Sequence, residues 1–127
     1  MIRIQDIVFD CRHPASRARF WAAALDGYAV APYDEGELDR LRRAGILDPE
    51  DDPSVLVIPE STQQPRLWFG RVPEARTRPN RVRLELRADD PDAEKDRLVG
   101  LGARVLAVDP ARFVLADPEG DEFWLVR

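Results

Sequence analysis

The chain has one cysteine, Cys11, one histidine, His13, and one methionine in 127 residues. A lone cysteine closes no intramolecular disulfide, so nothing here supports a secreted, disulfide-stapled scaffold. Cys11 falls on the apolar side of a strand-like segment and reads as a small buried hydrophobe rather than a reactive thiol. Cys11 and His13 share one short segment and cannot form a nucleophile and base pair, and Ser16, Ser54 and Ser61 have no histidine partner in any recognisable motif. There is no Gly-rich phosphate loop. No apolar run approaches membrane-spanning length, and the N-terminal residues Met1 to Asp6 form no apolar leader. A cytoplasmic protein with no membrane partner is expected. The net charge is −5 although Lys and Arg number 19. Because those cations are mixed with carboxylates, a nucleic-acid partner is not expected.

What is present is a repeat. Val82, Leu84, Leu86 and Ala88 alternate with Arg81, Arg83, Glu85 and Arg87, the period of a strand with one apolar and one charged face. Asp90-Pro91 follows, then a helical segment to Gly102 with Leu98 and Leu101 as its apolar positions. Ile2 to Cys11 is again strand-like, His13-Pro14 ends it, and Ala15 to Leu25 is helical, with Ala18, Trp21, Ala22 and Leu25 on one face. Laying Asp6 on Arg83 puts Ile7, Phe9 and Cys11 on Leu84, Leu86 and Ala88, and His13-Pro14 on Asp90-Pro91. A shared register of this length indicates a duplicated supersecondary unit. Trp21 reads as core, and His13, at the strand exit, as a surface or capping residue.

The remaining segments fill in both halves. Tyr28 to Pro32 reads as a short strand, and Glu37 to Ala44 as a helix stopped by Gly45. Asp48 to Pro53, with two prolines and four carboxylates, reads as a solvated turn. Ser54 to Ile58 and Arg66 to Val72 form a hairpin. Ala103 to Val108, Arg112 to Ala116 and Glu122 to Val126 complete the second half, the last two joined by the tight turn Asp117-Pro118-Glu119-Gly120-Asp121. Each half reads β-α-β-β-β: module 1 at about 1–72, a linker at about 73–79, and module 2 at about 80–127.

Two βαβββ units, with Phe20-Trp21-Ala22-Ala23-Ala24-Leu25 after the first strand, Asn80-Arg81-Val82-Arg83-Leu84-Glu85-Leu86-Arg87 opening the second unit and Asp117-Pro118-Glu119-Gly120-Asp121-Glu122-Phe123 before the last strand, resemble the vicinal oxygen chelate superfamily. Within it the chain is most similar to the glyoxalase-like domains of the glyoxalase, bleomycin resistance protein and dioxygenase fold. The resemblance implies an α+β fold, a single domain of two tandem βαβββ modules whose curved mixed sheets surround a cupped cavity with helices outside. It also implies a homodimer. Metal-using members draw one ligand from the first and one from the last strand of each unit, commonly His and Glu. The matching positions here are Asp6, Gly70, Arg83 and Trp124, of which only Asp6 carries a donor suited to a divalent ion. No metal or other cofactor is therefore expected.

By alternation the cup-lining residues are Asp6, Val8, Trp68, Arg83, Glu85, Glu122 and Trp124, with Asp10, Gly70, Arg87 and Val126 beside them. Aromatic walls and a few charges suit a small organic ligand, anionic ones included. The opposite outcome stays open, in which the charges pair internally and the tryptophans fill the cup. Asp6 with Arg83, or Arg83 with Glu85, is the pair expected to replace a metal. A binding protein is the first reading. A metal-dependent lyase, isomerase or dioxygenase with other ligands is the alternative, and an interaction protein without a ligand the third. No residue is singled out as catalytic.

Overall fold

The computed structural model describes residues 1–73 and 82–127. They fall into two compact units, Met1–Pro73 and Glu74–Arg127. In chain order the elements are β1 (Asp6–Cys11), α1 (Pro14–Ala24), β2 (Tyr28–Val30), α2 (Glu35–Arg43), a short 3-10 turn (Pro49–Asp51), β3 (Ser54–Pro59), β4 (Arg66–Arg71), β5 (Glu85–Arg87), α3 (Pro91–Leu101), β6 (Arg104–Val108), β7 (Arg112–Ala116) and β8 (Glu122–Val126). Each unit carries one four-stranded mixed sheet, ordered β1-β4-β3-β2 in the first and β5-β8-β7-β6 in the second. The architecture is α+β. In each sheet the strand before the helix pairs in parallel with the last strand of the unit, and the other pairings are antiparallel.

The strands form where the period-two pattern leaves one face apolar. In the first unit Cys11, Val55, Val57, Leu67 and Phe69 are buried on one face of the sheet, and α1 packs across β2, β3 and β4. Each such side chain taken out of water contributes about 1.5–3 kcal/mol. Pro14 stands in the first turn of α1, where a missing N–H costs nothing. The buried face of α1 is wider than the expected stripe. Ala18 and Trp21 are buried as expected, but Ala15, Phe20 and Ala24 join them while Ala22 and Leu25 are only half-buried. Arg17 is buried as well, its guanidinium carbon 5.2 Å from the Phe9 ring and 5.6 Å from the Phe69 ring, with Nη1 donating to the Asp10 carbonyl. The phenylalanine rings stack at 5.1 Å. His13 occupies the N-cap position of α1 without a side-chain cap hydrogen bond.

In the second unit Phe113, Leu115, Phe123 and Leu125 form the buried face, and α3 contributes Leu98. Leu101, expected beside it, is exposed. Gly102 ends α3 with φ at 121°, a conformation that lets its N–H return to the Leu98 carbonyl. The tight turn before β8 is closed by the Gly120 N–H on the Asp117 carbonyl, with the buried Asp117 carboxylate accepting from the N–H groups of Glu119 and Asp121.

Several boundaries move. The first strand begins at Asp6, with Ile2 and Ile4 exposed, because among the described residues no partner strand runs alongside them. The strand expected from Asn80 is observed as β5, Glu85–Arg87, while Asn80 and Arg81, like linker positions 74–79, lie outside the described residues. The Asp48 to Pro53 stretch is not wholly solvated: Asp52 is 1% exposed.

Candidate functional site

The open face of the first sheet, opposite α1, carries Asp6, Val8 and Asp10 from β1, Arg66, Trp68 and Gly70 from β4, and Ser54 and Leu56 from β3, in matched rows. Arg66 lies directly beside Asp6, and its Nε and Nη2 donate to the two carboxylate oxygens at 2.7 and 3.0 Å. The indole Nε1 of Trp68 donates to the same carboxylate at 3.3 Å. Asp6 is thereby committed within its own unit. The Arg66 hydrogen bond, ahead of partial desolvation, holds its carboxyl below the usual range. Val8, beside Trp68, is exposed.

The second sheet presents the corresponding face. Arg83 donates to Glu85 at 3.1 Å, and Trp124 Nε1 donates to Glu122 at 3.3 Å. The guanidinium carbons of Arg83 and Arg112 lie 3.4 and 4.0 Å from the Trp124 ring centroid. Arg112 stands in the Val126 row and Arg83 precedes Glu85, which pairs with Trp124, so the indole has two cations packed against it. Of the two pairs expected in place of a metal, Arg83 with Glu85 forms. Asp6 is bound instead to Arg66, the residue that strand pairing puts next to it.

The register also revises which positions correspond. Val8 pairs with Trp68 and Glu85 with Trp124. With Asp6 laid on Arg83, Val8 falls on Glu85, so the counterpart of Trp124 is Trp68 and not Gly70. Each unit therefore pins an indole N–H on a carboxylate of its own open face. The superfamily's metal does not fit this donor set, since neither indole, Arg83 nor Gly70 offers a side-chain ligand and Asp6 is held by a guanidinium. Among the described residues no three His, Cys, Asp or Glu side chains cluster as a metal site would require.

What the sequence did not single out is a pocket of about 230 Å³ within the first unit. Trp68 and Leu56 of the open sheet face line it, together with Tyr33, Glu37, Arg40 and Asp52 from the segment between β2 and β3. Local capping places that segment. Asp34 accepts from the Glu37 N–H and starts α2, Asp48 accepts from the Glu50 N–H and starts the 3-10 turn, and Arg19 of α1 grips Glu50 through two hydrogen bonds of 2.6 and 2.9 Å. The buried Asp52 carboxylate accepts from the Ser54 N–H at 3.0 Å and the Tyr33 hydroxyl at 2.8 Å. Arg40 donates to Glu37 through Nε and Nη2, and Nη2 stands 3.7 Å from Asp52. Burial, then the Asp52 carboxylate, pushes the Tyr33 phenol far above its usual range, so Tyr33 serves as a donor and not as a base.

The profile of the glyoxalase-like domain matches residues 6–126. No curated protein matches the chain in sequence. Among solved structures, a possible glyoxalase from Bacillus cereus aligns with a TM-score of 0.64 at 11% identity, covering 100% of both chains. A glyoxalase/bleomycin resistance protein/dioxygenase family enzyme from Burkholderia phytofirmans PsJN aligns at 0.63 and 13% identity, over 98% of this chain and 97% of its own. The fosfomycin resistance protein FosX from Mesorhizobium loti aligns at 0.61 and 10% identity, over 99% and 90%. At these identities the structures share the fold.

Proposed function

Because the chain belongs to the glyoxalase-like domain family, we propose that it binds a small organic molecule without a metal, in the Trp68 pocket of its first unit. The observation that carries this is the pocket itself: a concavity with an indole and a phenol in its wall, and polar groups whose hydrogen bonds already fix their positions. Small-ligand sites are built this way, with apolar area for affinity and a few oriented polar groups for selection. At about 230 Å³ the space lies below the roughly 300 Å³ at which drug-sized sites begin. A single-ring or branched short-chain molecule is the right size. The second unit supports a binding role less well, because two guanidinium groups already lie against the Trp124 ring and a ligand would have to compete with them.

The test combines elemental analysis with a metabolite screen by thermal shift. Stoichiometric Zn, Ni, Fe or Mn in purified protein would overturn the metal-free part. A ligand at about one hundred times its Kd adds about 2.7 kcal/mol of stability, which raises Tm by several degrees for a chain of this size. Trp68→Leu should abolish that shift while leaving the Tm of the unliganded protein within a few degrees of wild type. Persistence of the shift in Trp68→Leu would place the ligand elsewhere.

A further inference from the structure

We infer that the molecule held beside Trp68 is an organic cation, a substituted ammonium packed on the indole face. The inference rests on the reading that this pocket is the ligand site, and adds its chemical class. Two independent observations lead to it. The first is the charge of the wall. Glu37 and Asp52 supply two carboxylates against one guanidinium, Arg40, which already donates twice to Glu37 and faces Asp52. The Tyr33 hydroxyl donates to Asp52 as well. An anion entering the pocket would find its cation committed to carboxylates and an uncompensated negative charge beside it, whereas a cation completes the balance.

The second observation comes from the duplication. Trp124, the counterpart of Trp68 by strand register, has two guanidinium groups packed against its ring, so this indole position is one at which the chain places cations. Trp68 is pinned at its N–H in the same way, by Asp6, yet among the described residues no guanidinium or ammonium lies over its ring. An indole face next to a net negative wall is the arrangement that quaternary and substituted ammonium groups recognise, through the ring quadrupole and nearby carboxylates. What Arg83 and Arg112 do within the second unit, a ligand would do in the first.

Calorimetric titration with three probes of one shape separates charge from fit: choline; neopentyl carbinol, in which carbon replaces the nitrogen; and tert-butylacetate, the anion. Choline is expected to bind at least about tenfold more tightly than neopentyl carbinol, and tert-butylacetate to give no heat. Added salt should weaken choline and leave the neutral alcohol unchanged. Glu37→Gln keeps the buried Asp52 turn intact and removes one negative charge, so it should erase most of the preference for choline. Arg40→Gln should strengthen choline binding. A Trp68→Leu protein that still binds choline, or an alcohol or anion that binds as tightly as choline, overturns the cation, as does the absence of choline binding at millimolar concentration. A hit from the metabolite screen that needs Trp68 and is neutral or anionic would likewise end this inference while leaving the binding function standing. If no compound of any charge class shifts the Tm in that screen, the binding function itself falls.

Discussion

At the scale of single residues, Asp6 shows how a position is reassigned. The carboxylate that a metal-using relative would need as a ligand is here a bracket, joined to Arg66 by two hydrogen bonds and to the Trp68 indole by a third. Its pKa is depressed, so its contribution to stability is present above the unfolded value of about 3.9 and is lost as pH falls through the lower folded value. The urea midpoints of wild type and Asp6→Ala should therefore differ at pH 7 and converge toward pH 2. An equal gap at both would show that the side chain acts through packing and not through its charge. In wild type the Trp68 indole proton resonance should move with an apparent pKa below 3.9 or so, and the resonance should shift in Asp6→Ala while that of Trp124 stays in place. Asp6 was legible as an important polar position because strand alternation put it on the charged face. Its partner was not legible, because the pairing with Arg66 spans sixty residues and depends on which strand lies alongside β1. Arg17 escaped for a related reason. Nothing in a helical pattern marks an arginine as buried until the two phenylalanine rings that receive it are brought together by β1 and β4.

At the scale of elements, the strands were legible wherever one face had to be apolar, and β7 and β8 fall at the expected residues. Helix α2 and the turn after it were legible as elements but not as a site. An acidic, proline-containing run reads as solvated, and the burial of Asp52 comes from Tyr33, nineteen positions earlier, together with the Ser54 N–H. The Asp-Pro-Ser sequence at 52–54 signals the turn, since an aspartate readily accepts from the N–H two residues on, but not the burial, since Asp48 makes the same contact to Glu50 and is exposed. Helix α3 gives a sharper test. Leu98 is its only buried side chain among the described contacts, whereas α1 buries a broad face. Leu98→Ala should then cost about 2–5 kcal/mol in chemical denaturation, and Leu101→Ala, at an exposed position, less than about 0.5 kcal/mol. Comparable losses at the two sites would mean that α3 is seated by a different face.

At the scale of the whole molecule, the homodimer is a proposal, and β6 is the surface that supports it. This edge strand exposes Val105, Leu106 and Val108 at 41%, 49% and 56%, and a strand edge with apolar side chains and open backbone groups invites a partner strand. Sedimentation should give a dimer at micromolar concentration, and Val108→Lys should shift it toward monomer without lowering the Tm of the monomer. A wild-type monomer at that concentration would remove the dimer, and a dimer indifferent to Val108→Lys would move the interface off β6. The topology of the sheets has one more consequence, which concerns synthesis. In the first unit the strand made first, β1, has β4, the strand made last, as its one partner among the described strands. At about 5–20 residues per second, the sixty residues from Asp6 to Arg66 take roughly 3–12 s to translate. Throughout that interval Ile7, Phe9 and Cys11 have no partner strand, although β2 and β3 can pair once Pro59 has been made. The second unit repeats the order with β5 and β8. The nascent chain must therefore carry an unpaired apolar strand twice, and each time it is the arrival of a tryptophan-bearing strand, Trp68 and then Trp124, that ends the exposure.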